Sequence, residues 1–169
     1  MKRNMVRTTL VVISIATLYM TLVPAAQADD GCSLAHAAGT YAFSDSGTVV
    51  GVGPRAFVGV FTLDGKGNLL NGSGTSSLNG TIYNETFSGP YTVNSNCTGT
   101  VALKVFDSSG SLLFTATLNL AWDDNMRELR FIFTSVKQPD GTPLSIVING
   151  DCRKLVHDKG NEQSAVAKG

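Results

Sequence analysis

Three charged residues stand where the alternation of the chain puts aromatic side chains. Tyr83, Glu85 and Phe87, with Tyr91 beyond them, occupy every second position of one run. Arg55 leads the set Phe57, Gly59, Phe61 and Leu63, and Asp45 follows Tyr41 and Phe43. In an extended strand such residues share one face. If the aromatic faces are inner faces, Asp45, Arg55 and Glu85 point inside. A buried carboxylate has a raised pKa unless it is paired, and it then suits acid–base chemistry. Arg55 would be a fixed positive partner or an anion anchor. Glu85 is the candidate catalytic residue. Arg55, Tyr41, Tyr83, Phe87, Tyr91 and Phe61 are the candidate ligand-binding residues. The plainer reading stands beside this one. Arg55 follows Pro54 at a strand start and would sit at the rim in water. Asp45 precedes Ser46-Gly47 and would belong to a bulge. Glu85 would face solvent, with Ile82 on the inner side. The tyrosines would be core residues with satisfied hydroxyls.

Other chemistries find no support. There is no G-x-S-x-G, and His36 and His157 lie outside the strand runs. The two histidines form no local motif with the cysteines, so no metal site is expected, and no cofactor is implied. Gly65-Lys66-Gly67 is a turn, not a phosphate loop. Asn71, Asn79, Asn84 and Asn96 each open a glycosylation sequon, as chance produces in strands rich in Asn, Ser and Thr. The 13 basic and 13 acidic residues cancel, which argues against nucleic acid as a partner.

The elements that must position these residues are strands. Charged residues make up only 15% of the chain and there are 18 glycines, which suits a β-rich exported protein. Eight runs alternate apolar and small residues: 39–49, 55–63, 69–78, 81–93, 98–106, 112–122, 128–136 and 144–155. The third is the weakest in apolar residues. Asp64-Gly65, Asn79-Gly80 and Asp140-Gly141 are hairpin signals. Short connections join sequential antiparallel neighbours, and closure removes both edges. An eight-stranded antiparallel meander barrel is therefore expected, all-β and calycin-like, with a two-sheet β-sandwich as the alternative. Leu112, Phe114, Ala116, Leu118, Leu120 and Trp122 should face inward together, as should Leu129, Phe131 and Phe133. Gly59 and Gly89, on inward positions, would open the interior.

Residues 1–28 read as a secretory signal peptide: Lys2, Arg3 and Arg7, then an apolar run, then Ala26-Gln27-Ala28 with cleavage after Ala28. The barrel domain is expected over 29–155 and a disordered tail over 156–169. Ser33 would cap one or two helical turns that plug the barrel, or the segment would be an irregular arm. The protein is expected to be secreted or periplasmic, without stable membrane insertion once the leader is removed. Export permits disulfides. Cys32, Cys97 and Cys152 all fall near one end of such a barrel. Neighbouring first and last strands favour Cys32–Cys152, whereas a lead-in folded across the end would join Cys32 to Cys97.

The runs Gly39-Thr40-Tyr41-Ala42-Phe43, Val58-Gly59-Val60-Phe61-Thr62-Leu63-Asp64-Gly65, Gly67-Asn68, Asn79-Gly80-Thr81, Tyr91-Thr92-Val93 and Cys97-Thr98-Gly99-Thr100 resemble a family of exported bacterial β-barrel proteins frequent in soil bacteria. That family is distantly similar to barrels of the allene oxide cyclase and dirigent type. This resemblance implies eight strands around a largely apolar cavity, and reactions steered by few polar groups, often a Glu among aromatics. It gives Glu85, beside Tyr83 and Phe87, such a role, although no catalytic motif aligns residue by residue. The reading favoured by the lack of a nucleophile or metal set is a barrel holding a small, mostly apolar molecule. The alternatives are a cyclase or isomerase working by confinement with Glu85, and a filled barrel with a structural or surface role. Val58, Val60, Ile132 and Val147 on nominally outer faces suggest a partner surface or a homo-oligomer, a dimer or trimer.

Overall fold

The computed structural model describes residues 31–123 and 125–156. The expected signal peptide, and all but the first residue of the expected tail, lie outside the described residues. Eight strands follow one another: β1 (Gly39–Val49), β2 (Gly53–Leu63), β3 (Asn68–Leu78), β4 (Thr81–Pro90), β5 (Thr98–Phe106), β6 (Leu112–Trp122), β7 (Glu128–Lys137) and β8 (Ile146–Lys154). Each pairs antiparallel with the next, and β8 returns to β1, giving a closed meander barrel rather than a sandwich. The expected fourth strand is longer than β4. Pro90 has no N–H for the ladder, and beyond it only Tyr91 bridges to Val101. The start of the expected eighth strand, at Leu144, belongs to a loop tied to β7 by the Leu144 N–H donating to Val136 O.

The turns work as their residues dictate. Asn79 and Gly80 take φ of 49° and 85°, the two left-handed positions of a tight hairpin. The Asp64 carboxylate accepts from the backbone N–H groups of Lys66 and Asn68, and Asp107 does the same for Ser109 and Ser111. Because the strands alternate in direction, the connections 50–52, 79–80, 107–111 and 138–145 all gather at one end. The lead-in, the connections 64–67, 91–97 and 123–127, and the end of β8 gather at the other.

The expected inward faces are inside except at the start of β6, where a bulge against Phe106 shifts the register and Leu113 instead of Leu112 lines the interior. Leu118, Leu120, Trp122, Leu129 and Phe131 are buried on β6 and β7, and Phe133 packs against this core. The weakness of the third run has a physical cause. A Cβ at Gly72 would lie 2.3 Å from the Phe87 ring, and one at Gly74 would lie 2.7 Å from the Phe57 ring. These glycines are where aromatic rings lie flat against the wall. Gly59 is likewise covered by Phe43, and a Cβ at Gly89 would meet the Ala102 carbonyl. The inward glycines therefore do not open the interior as expected; rings and neighbouring backbone occupy the space. Val58, Val60, Ile132 and Val147 are exposed, as expected. The outward Ser44, Ser46 and Thr48 of β1 separate the first two from the others.

One end is sealed. Ser33 caps the four-residue helix α1 (Leu34–Ala37) by accepting from the His36 N–H, so the lead-in is the plug rather than an irregular arm. The fully buried Tyr41 donates its hydroxyl to Ala37 O and Met126 O, and Tyr91 donates to Asp64 O. Burial pushes both phenols up, Tyr91 to about 12, so both remain protonated donors. Cys32 is bonded to Cys97, and Cys152 is free and buried. The expectation of a Cys32–Cys152 bridge is thus overturned. Cys152 pairs in register with Phe43 and Leu129 and lines the interior below the rim, out of reach of a lead-in that crosses the end toward β5.

The bridge closes a separation of 65 residues, for which loss of unfolded-chain entropy predicts about 4 kcal/mol of stabilisation at most. Cys32→Ser is expected to lower the urea-unfolding free energy by about 2–4 kcal/mol while leaving the far-ultraviolet dichroism of the barrel unchanged.

Candidate functional site

Asp45 on β1, Arg55 on β2 and Glu85 on β4 meet inside the barrel. They are 6%, 7% and 5% exposed, so the inward reading of all three holds and the solvent-facing one does not. Strand register explains the meeting. Asp45 lies opposite Phe57, two residues along from Arg55 on β2, and Gly47 stands directly opposite Arg55 with no side chain to block the guanidinium. Arg55 Nη1 donates to Asp45 Oδ1 at 2.7 Å, and Nη2 donates to Glu85 Oε2 at 3.2 Å. The guanidinium also lies 4.7 Å from the centre of the Phe57 ring, within cation–π range. Ser76 on β3 donates its hydroxyl to Glu85 Oε1. Arg55 is therefore a fixed partner to two carboxylates, the first of the two roles open to it, and not a free anion anchor.

Ser76 was not among the sequence candidates. Gly72, Gly74 and Ser76 keep every second position of β3 small, a pattern that gains its meaning only once the rings and Glu85 are placed against it.

The cluster separates two spaces. Below it lies a cavity of about 50 Å³ walled by Phe43, Phe57, Phe61, Phe87, Phe131 and neighbouring aliphatic side chains, with Tyr91 near the plug. Above it, at the end opposite α1, a mouth of about 360 Å³ is walled by Leu78, Leu113, Phe114, Phe133, Leu144 and Ile146, with Tyr83 at its edge. Arg55 and Glu85 line both spaces. The inner cavity is small beside the few hundred Å³ of an ordinary ligand site, and the mouth is within that range. The mouth wall is also incomplete. β4 pairs with β5 only through Thr86, Phe87 and Ser88, so Thr81–Glu85 have no partner on that side. Of the sequence candidates, Arg55, Glu85 and Tyr83 line the mouth, and Phe61, Phe87 and Tyr91 line the inner cavity. Tyr41 lines neither and stacks on Phe61 within the sealed end.

The chain matches no protein-family model and no curated protein. Among solved structures it is similar to the redesigned β-barrel mFAP1 bound to DFHBI, with a TM-score of 0.48 and 14% identity over 72% of this chain and 98% of that one. It is also similar to the S-type phycobiliprotein lyase CPES from Guillardia theta, with a TM-score of 0.45 and 8% identity over 74% and 92%. A third is Rv2717c from M. tuberculosis, with a TM-score of 0.39 and 13% identity over 73% and 95%. At these identities the likeness does not extend to function.

Burial lifts the Asp45 carboxyl from 3.8 to about 6. The charge of Arg55 and its hydrogen bond oppose the shift, and Glu85 adds to it. Loss of solvation thus outweighs an ion pair of good geometry. The folded chain holds the Asp45 proton between about pH 4 and 6, where the unfolded chain has released it. Stability therefore falls as pH rises through that window, by an amount on the order of 3 kcal/mol. The carboxylates of Asp64, Asp107 and Asp140 are shifted down by hydrogen bonds from Asn68, Ser109 and Thr142, so their contributions are lost only at lower pH. Urea midpoints of the wild-type protein are expected to fall between pH 4.5 and 7, and Asp45→Asn to flatten that slope. Arg55→Met leaves two buried carboxylates without a counter-charge and is expected to cost about 3–5 kcal/mol in the same measurement at pH 7.

Proposed function

We propose that this protein is an exported barrel that binds a small, mostly apolar molecule at its open end. The observation that carries the reading is the asymmetry of the barrel. One end is closed by α1, two buried tyrosine hydroxyls and a disulfide, while the other opens into an apolar mouth of about 360 Å³ with Arg55 and Glu85 at its floor. Apolar walls with a few convergent polar groups are the usual make-up of a ligand site. Export is supported by the basic, apolar and A-x-A pattern of residues 1–28 and by the compatibility of a Cys32–Cys97 bridge with an oxidising compartment. Binding is preferred to catalysis because each Glu85 oxygen already accepts a hydrogen bond, one from Arg55 and one from Ser76.

The neutral apolar dye Nile red is expected to bind with enhanced fluorescence. Ile146→Trp, which fills the mouth, should weaken that binding at least tenfold. Val147→Trp, one residue on and facing outward, should leave it unchanged. Equal binding to both variants, or none to the wild-type protein, would contradict the proposal.

A further inference from the structure

The buried charge at the floor of the mouth does not balance. Asp45, Arg55 and Glu85 are the buried charged residues among those described, two anions against one cation. An uncompensated charge away from water is unfavourable, and the structure around it commonly supplies a counter-charge. The side chains do not supply it here. Arg55 already gives one terminal nitrogen to each carboxylate and lays its face on Phe57. On β8, Arg153 pairs with Glu128 on the outside, and Lys154 turns to the sealed end, where it donates to His36 O and lies over Tyr41.

One carboxylate oxygen of the cluster is left without a side-chain donor. Asp45 takes one hydrogen bond, at Oδ1, and its Oδ2 receives none from the described residues. Asp45 lines the inner cavity, and Glu85 lines both the cavity and the mouth above it. The rings of Phe43, Phe57 and Phe87 pack edge to face beside them. Aromatic faces attract cations and give an anion nothing comparable. A ligand carboxylate would meet Glu85 and an Arg55 already shared between two anions. A neutral apolar ligand would leave the second negative charge without a counter-charge, and so would gain less from this floor than a cation.

We infer that the ligand carries a protonated nitrogen on an apolar body. The nitrogen sits against Glu85 at the floor of the mouth, beside the Asp45 charge that shares Arg55, and the body lies between Leu113, Phe114, Phe133 and Ile146. This rests on the mouth being a ligand site, and it names the chemical class that site selects.

Three probes with one apolar body separate the alternatives: 4-phenylbutylamine, 4-phenylbutanol and 4-phenylbutanoate, titrated calorimetrically into the purified protein at pH 7.5. The amine is expected to bind at least tenfold more tightly than the alcohol, with the carboxylate weakest. Glu85→Gln and Asp45→Asn should each bring the amine-to-alcohol ratio below about three, and the ratio in the wild-type protein stands even if a variant fails to fold. If the alcohol or the carboxylate binds as well as the amine, the inference falls while the mouth remains a ligand site. A ratio unchanged in both folded variants also overturns it. If none of the three binds at millimolar concentration, the inference and the reading of the mouth fall together.

Discussion

One guanidinium held between two carboxylates inside a closed sheet sets the terms for the rest of this protein. Arg55 bonds Asp45 from β1 and Glu85 from β4, so a single side chain ties strands that are not adjacent across the barrel interior. Ion clusters of this kind are weak sources of net stability, because desolvation offsets much of the attraction. The upward shift of Asp45 despite a 2.7 Å contact with Arg55 is the expression of that balance, burial outweighing the ion pair. What the cluster supplies is position. It puts polar groups at one depth in a tube that is otherwise aromatic and aliphatic, and it divides a narrow apolar cavity from a wider mouth.

The remaining architecture serves that division. Glycines on β2, β3 and β8 let Phe43, Phe57, Phe87 and Phe131 lie close against the wall, and the rings fill the lower barrel. Such packing holds the walls rigidly, since close-packed aromatic interiors tolerate little displacement. The plug, Tyr41, Tyr91 and the Cys32–Cys97 bridge close the lower end. At the upper end the β4–β5 ladder is short, and a loop instead of strand β8 flanks the last part of β7. Rigidity and sealing are concentrated below the cluster, and incomplete pairing above it.

Much of this was legible in the chain. The barrel followed from eight alternating runs and their hairpin turns; the period of two put Asp45, Arg55 and Glu85 on aromatic faces but left a rim, bulge or solvent position open for each until the strands were paired. Three features were not legible, each because the decisive contact is between distant strands. The disulfide depends on where α1 lies over the barrel end, which local spacing does not specify, so the sequence left Cys32–Cys152 and Cys32–Cys97 both open, and the structure has the second. The inward glycines looked like openings because the rings that cover them come from other strands. Ser76 was passed over because a lone serine on a weak strand has meaning only once Glu85 stands beside it.

The central claim is that small molecules bind above the ion cluster and not elsewhere on the barrel. Its most direct test is two-dimensional amide and methyl NMR of the isotope-labelled protein during titration with 4-phenylbutylamine. Binding in the mouth predicts shift changes at Leu78, Leu113, Leu144 and Ile146 and at the side-chain N–H groups of Arg55, with α1 and the 64–67 turn unmoved. Saturable changes centred on the sealed end or on the outward Val58, Val60, Ile132 and Val147 would contradict the account.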